Sequence, residues 1–374
     1  MKGYGYFPLK LKEFLRKTPL VRAKRFWDKK FARPVISHAW SLPTDPRLKK
    51  TLLICVEASF NQNIYNAAYL TPLGFAEGWS EVAGRAKFIH VKDLMREINL
   101  YDDVSIFISQ HSLRHFSFTE ARQLRDKNMF VWVVVHPRSF GQFEKENPLI
   151  SREESDMYYE AYAKLIVAEP KFVWNSIGIA GMHWYQGWID DGFKWQTIFP
   201  GANTSFYFPE PSSEFHNVKV GYVGGYWKEK AQAFTSYLRP IEEDLAAYGY
   251  SRWPYKHYCG DLTIDEERRL YSSAGLIPLL TGPAGWRMAE ITERYLKAPA
   301  CKAFCIADEN PAVREIFDET EMLQAVSAEH FHHLVNEFMQ GRIDVNRWRE
   351  AGYSATVKKH LVRHRALQIL EALG

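Results

Sequence analysis

Apolar runs of four to seven residues alternate with helix-like stretches along most of this chain. Residues 51–56 (Thr-Leu-Leu-Ile-Cys-Val) are apolar on both faces and stop at Glu57. Residues 88–91, 104–109 and 129–135 repeat the pattern, the last ending at His136-Pro137. Between them, 93–98, 119–126 and 153–163 carry helical spacing. Strands with continuous rather than alternating apolar character, separated by helices, predict a parallel sheet covered on both faces.

The periodicity fails over residues 196–211, where Pro200, Gly201, Pro209 and Pro211 stiffen and interrupt the chain. A second α/β set follows: a strand over 218–223, a helix over 231–248, a strand within 275–280, a helix over 288–296 and a strand over 303–307. Apolar positions over 354–373 fit one amphipathic helix. At 374 residues the chain exceeds the size at which one core keeps growing, so two domains are expected. A hydrophobic content of 46% and a charged content of 25% describe a soluble globular protein. No apolar run approaches the roughly 20 residues of a membrane span, and the N-terminus lacks the apolar core of a signal peptide. Four scattered cysteines without a Cys-x-x-Cys pair read as free thiols of a reducing cytoplasm.

The net charge of +4 hides an asymmetry. Residues 1–34 hold eleven Lys and Arg against only Glu13 and Asp28, so this leader carries +9 and the remainder −5. Phe14, Phe26, Trp27 and Phe31 interleave with the basic residues. Such a segment suits an anionic membrane surface, each Lys or Arg contributing about 1 kcal/mol. Pro8, Pro19 and Pro34 break any long amphipathic helix, and an extension packed on the N-terminal domain is the competing reading. The basic residues do not recur as a patch elsewhere, which argues against nucleic acid as a partner.

Candidate chemistry gathers at strand ends. Gly224-Gly225 closes the strand of 218–223, where glycine lets backbone approach a phosphate, and Lys228 and Lys230 just downstream can neutralise a diphosphate. In the first half, Glu57, His111 and His136 fall after apolar strands, where ligands meet an open α/β sheet. A His or carboxylate there can take a proton from an attacking hydroxyl, and a packed, non-catalytic histidine is the competing reading for His136. No Asp-x-Asp triplet offers a divalent-cation site, and His330 and His333 lack a third ligand at characteristic spacing, so no metal is expected.

Residues 218–225 and 292–308 together resemble glycosyltransferases of the GT-B fold. Thr292 to Asp308, aligned on Arg294 and Ala300-Cys301, is similar to that family's nucleotide-holding helix and the strand after it. Residues 310–317 and Tyr258-Cys259-Gly260-Asp261 with Glu266, Glu267 and Tyr271 extend the likeness, most of all to the group-1, spore-maturation-like branch. Pro200-Gly201-Ala202-Asn203 resembles the crossover between the two domains.

The resemblance implies two Rossmann-like α/β domains with parallel sheets facing a central cleft. Residues 1–40 would be the basic leader, 41–205 the acceptor domain and 206–350 the nucleotide-sugar domain. Residues 351–374 would form a C-terminal helix of the kind that crosses back to the first domain. It implies a metal-independent, hexosyltransferase-type enzyme of the cytoplasm, peripheral to the inner membrane face. Such an enzyme moves sugar from a nucleotide-activated donor to a glycan or lipid-linked acceptor in surface polysaccharide synthesis. The donor is a substrate, and no cofactor is expected. Gly224, Gly225, Lys228, Glu293, Arg294 and Lys297 would bind the donor; Glu57, His111 and His136 would serve catalysis.

Two positions depart from the family. Its ribose-binding glutamate falls at Lys297, and an ammonium with three donors and no acceptor cannot replace it. Either Glu293 or Glu290 takes that role, or donor binding has changed. Its glycine falls at Lys302. A catalytically silent binding module, a sugar-nucleotide epimerase and a phage-type DNA glycosyltransferase remain open alternatives.

Overall fold

The structure, a computed structural model, describes residues 50–57, 67–146, 152–212, 214–226 and 228–374. The basic leader of residues 1–40 lies outside the described residues. The chain divides into two compact units. Of the described residues, one comprises those from 50 to 201 together with 288–290 and 362–374, and the other holds those of 202–287 and 291–361.

The first unit is built on six parallel strands: β1 (Lys50–Val56), β2 (Gly84–His90), β3 (Val104–Ser109), β4 (Asn128–Trp132), β5 (Phe172–Asn175) and β6 (Trp195–Thr197). Their order is β2-β1-β3-β4-β5-β6. Leu52, Leu53, Ile54, Ile106, Ile108, Phe130 and Val131 are fully buried, as continuous apolar strands of a covered parallel sheet require. Helices α1 (Ala67–Val82), α2 (Phe118–Gln123) and α3 (Arg152–Ala168) follow β1, β3 and β4. The order reverses between β1 and β3, the topological switch point where open sheets of this kind take ligands.

The second unit repeats the plan. Strands β7 (Val220–Val223) and β8 (Leu245–Tyr248) pair in parallel, as do β9 (Ile277–Leu279), β10 (Cys305–Ala307) and β11 (Leu323–Gln324). A parallel bridge from Val220 to Leu276 joins the two sets, giving β8-β7-β9-β10-β11. This sheet therefore reverses at β7/β9. Around it lie α4 (Lys228–Leu238), α5 (Ile264–Ser273), α6 (Pro283–Met288), α7 (Arg294–Ala300), α8 (Ala328–Met339) and α9 (Val345–Lys359). The last helix, α10 (Val362–Leu373), belongs to the first unit. There it packs on α1 so closely that a Cβ on Gly78 would lie 2.3 Å from the Val362 carbonyl oxygen.

Three expected helices are corrected. The run over 231–248 is α4 followed by β8, because Pro240 cannot continue a helix and Leu245–Tyr248 is buried as a strand beside β7. The run over 288–296 is two helices, and Glu290 between them makes an antiparallel bridge to Ile177. The run over 354–373 breaks after Lys359, where the His360 carbonyl accepts from the Ala202 amide. Helix α1 and strands β5, β6 and β11 carried no sequence signal that separated them from their surroundings.

Candidate functional site

At the β1/β3 switch point of the first unit, Glu57 follows β1 and a 3-10 turn over Gln110–His115 follows β3. Ser109 starts that turn, its hydroxyl accepting from the Ser112 amide. The turn delivers four side chains to one carboxylate. Ser112 Oγ donates to Glu57 Oε1 at 2.8 Å, and Arg114 Nη2 donates to Oε2 at 2.8 Å. The Nε2 atoms of His111 and His115 lie 3.5 and 3.4 Å from Oε2. Burial works to raise the Glu57 pKa, but the Ser112 hydroxyl, the two histidines and Arg114 outweigh it and hold the carboxyl below its usual range. His111 is also gripped from the side, its ring nitrogens approached by Arg114 Nη1. Glu57 and His111 are thus brought together. Ser112, Arg114 and His115 were missed, although their signal was available: a polar pentapeptide, His111 to His115, directly after an apolar strand.

His136 is corrected. It is 1% exposed, its Nε2 lies 2.9 Å from Asp191 Oδ2, and its Nδ1 accepts from the Arg138 amide. The rings of Tyr162 and Trp188 meet it edge-on. Burial lowers its pKa, favouring a neutral ring that fastens the 136–139 turn to Asp191. With both nitrogens occupied and no exposed edge, it cannot meet a substrate.

At the β7/β9 switch point of the second unit, Gly224 ends β7. Its amide is already donated to the Tyr248 carbonyl and its own carbonyl accepts from Trp253 Nε1, so it presents space rather than an amide. A Cβ placed there would lie 2.7 Å from Tyr222 Oη, 2.9 Å from Arg294 Nη2 and 3.1 Å from Lys230 Nζ. Three donors therefore crowd around Gly224, and only the lack of a side chain there lets them come so close together. Tyr222 is fully buried and its hydroxyl has no hydrogen-bond partner. Arg294 donates to the Leu280 carbonyl at 2.9 Å and lies over the Tyr222 ring. Among the described residues no carboxylate forms an ion pair with it. Burial works against its charge, but Tyr222, Tyr271, Glu267 and Tyr295 outweigh that and keep it a cation. Lys230 donates to the Gly225 carbonyl among the rings of Tyr222, Phe234 and Trp253. Burial, and then Arg294, push its pKa down to about 6.

The remaining expected donor residues fare differently. Lys297 is corrected: its Nζ pairs with Glu267 Oε1 at 2.6 Å, and Glu267 also accepts from Tyr207 and Tyr271. The side chains of this pair are 15% and 8% exposed, so the ammonium is held by the fold rather than offered to a ligand. Glu293 opens α7, its carbonyl accepting from the amides of Leu296 and Lys297. Lys228 opens α4, and its side chain lies outside the described residues. Lys302 has a φ of +57°, the left-handed conformation that glycine favours, which explains why a glycine suits this position in related chains. Asp308, fully buried after β10, accepts from the Thr281 amide, Trp286 Nε1 and Tyr295 Oη and so fixes α7 beside the sheet; burial raises its pKa. Among the described residues, no three His, Cys, Asp or Glu side chains are placed to hold a metal ion.

A family profile described as glycosyl transferase-like matches residues 228–371, which contain α4, α7 and Arg294. No curated protein matches the chain. Among solved structures, the Anabaena protein HepE in complex with UDP-glucose superposes with a TM-score of 0.57 at 12% identity, covering 86% of this chain and 99% of that one. Sucrose-phosphate synthase from Thermosynechococcus elongatus gives 0.55 at 12%, covering 86% and 98%. A glycosyltransferase from Rickettsia africae gives 0.53 at 14%, covering 87% and 98%. The chain has the GT-B fold of these structures, and its residues 228–371 are similar to glycosyl transferases in sequence. The GT-B fold expected from residues 218–225 and 292–308 is borne out. In this GT-B-fold protein the β7/β9 and β1/β3 switch points are the two candidate ligand sites. No helix among the described residues is long and apolar enough to cross a membrane.

Proposed function

We propose that this protein transfers a hexosyl group from a nucleoside-diphosphate sugar to a hydroxyl of a growing surface glycan or lipid-linked acceptor. The observation that carries the donor half is the three-donor cluster at Gly224. Tyr222, Lys230 and Arg294 bring three donor groups together at the Gly224 turn, and a diphosphate is the anion that suits the buried Arg294 guanidinium and the Tyr222 hydroxyl. As the sugar leaves, charge develops on the departing phosphate oxygen. Fixed cations in a desolvated setting stabilise it without reorganisation, the task a metal performs in other transferases. HepE, of the same fold, is known with UDP-glucose bound, which favours a uridine nucleotide as the first donor to test. The Glu57 cluster takes the acceptor hydroxyl.

The basic leader would hold the enzyme on an anionic inner membrane face; the sequence alone supports this, and vesicle binding with and without residues 1–34 tests it. For the central reading, the protein is titrated calorimetrically with UDP, GDP and ADP, then incubated with their sugars while released nucleotide is followed. Binding of one nucleotide, lost in Arg294→Ala, together with slow release of that nucleotide from its sugar, is the expected result. A chain that binds none of them is a silent module, and one that returns an epimerised donor is an epimerase.

A further inference from the structure

Resting on that reading, we propose that Tyr250 is the platform on which the glycosyl ring of the donor lies, a contact that distinguishes a nucleotide sugar from the free nucleotide.

Tyr250 stands just beyond β8, in the loop that runs from Gly249 to Gly260. That loop is fastened to the glycine turn after β7. Trp253 Nε1 donates to the Gly224 carbonyl at 2.8 Å, and a Cβ on Gly249 would collide with the same carbonyl oxygen. Gly249 donates its amide to the Gly260 carbonyl, and its own carbonyl accepts from Tyr258 Oη at 2.7 Å. Trp253 is fully buried, stacked on Tyr255 and met edge-on by Tyr222 and Tyr226. The loop is thus anchored by groups other than Tyr250, which is 73% exposed.

What the Tyr250 ring touches is Gly225. A Cβ there would lie 2.5–2.8 Å from its Cε1, Oη and Cζ, so only glycine admits the ring at this place. The second glycine of the turn therefore holds an open aromatic face one residue from the cluster of Tyr222, Lys230 and Arg294. A rigid aromatic beside convergent polar groups is the composition of a small-molecule site.

Strand order assigns the part of the ligand that meets this face. The sheet runs β8-β7-β9-β10-β11. With the diphosphate at the β7/β9 reversal, nucleoside and sugar extend from it to opposite sides. Beyond β9 and β10 stand hydrogen-bonding side chains, Thr281, Asp308 and Asn310, of the kind that the polar edge of a base requires. Beyond β8 stands the tyrosine. A hexose has a face of C–H groups and a rim of hydroxyls, and Tyr250 offers it an apolar ring with a hydroxyl at the tip.

Calorimetry with UDP and with UDP-glucose, or with the GDP or ADP pair if wild type prefers those bases, reads the difference. Tyr250→Ala should leave UDP affinity within twofold of wild type and weaken UDP-glucose by about tenfold, the effect of uncovering one sugar face. Tyr250→Phe should keep most of the affinity for UDP-glucose. Tyr250→Leu, of similar bulk but without an aromatic face, is a second variant and should behave like Tyr250→Ala; melting curves check that each variant folds. Equal losses for UDP and UDP-glucose would place the base on the ring and overturn the proposal. So would unchanged binding of both, in either case with the diphosphate site left standing. If wild type binds neither a nucleotide nor its sugar, the transferase reading itself falls, and the platform with it.

Discussion

Both sheets reverse strand order after their first strand, and the two reversals hold opposite electrostatic situations. At β1/β3 a carboxylate has more donors than it needs: Ser112, Arg114, His111 and His115 surround Glu57. At β7/β9 donors gather instead: Arg294, Lys230 and a Tyr222 hydroxyl without a hydrogen-bond partner stand together around Gly224. The first is complete without a ligand, its groups held in place by one another. The second buries a guanidinium, an amine and a hydroxyl that has no hydrogen-bond partner, and leaving that hydroxyl unsatisfied costs about 1–3 kcal/mol. The topology is the same at both; the side chains set the opposite electrostatics.

The largest expected effect separates the two cations of α7. Lys297→Glu sets a second carboxylate against the buried Glu267 and should destabilise the fold by about 3–5 kcal/mol, read by urea denaturation. The sequence alone suggested that this change would restore the family's residue and alter donor preference. The pairing with Glu267 makes loss of stability the expected outcome, and an unchanged midpoint would return Lys297 to the donor site. Arg294→Ala, three residues earlier, loses a carbonyl bond and the contact with the Tyr222 ring but leaves no carboxylate unpaired, and should cost less stability than Lys297→Glu in the same denaturation. Turnover should nevertheless fall by about two to three orders of magnitude.

A smaller change sharpens the geometry. Gly224→Ala puts a methyl group 2.7–3.1 Å from all three donors and should weaken nucleotide binding about tenfold, near 1.4 kcal/mol. Equal affinity in calorimetry would move the diphosphate elsewhere. The smallest effect is a proton. With a pKa of about 6, Lys230 is neutral at pH 7.5 in the empty protein, whereas a bound diphosphate favours the ammonium. Nucleotide binding above pH 6 should therefore take up a proton, so affinity falls as pH rises by at most tenfold per unit. Lys230→Arg, which stays charged, should flatten that slope. The stability of the empty protein has the opposite sign. The folded pKa lies below the ordinary lysine value of 10.5, so the unfolded chain binds the extra proton and stability rises with pH between about 6 and 10.5. Calorimetry in buffers of different ionisation enthalpy and melting curves across that range check both.

Much of the architecture follows from local pattern. Strand β1 at Lys50–Val56, β3 at Val104–Ser109 and β7 at Val220–Val223 are continuous apolar runs, and a run buried on both faces has few other places to go than a covered parallel sheet. The glycine pair after β7 and Arg294 were also visible, because a glycine turn and a nucleotide-holding helix constrain residue types over short distances. What failed was whatever depends on partners far along the chain. His136 looked like a strand-end base until Asp191, 55 residues on, closed over its Nε2. Lys297 looked like a displaced ligand until Glu267, 30 residues earlier, accounted for its charge. Leu245–Tyr248 read as helix until β7 offered it a ladder. Periodicity, glycine and chain length therefore determined the fold class and the strand ends where chemistry gathers. The tertiary structure alone decided which charged side chains are neutralised by a partner and which are left for a ligand, because the pairing energy of a charge depends on what lies within a few ångströms of it in space and not on its neighbours in sequence.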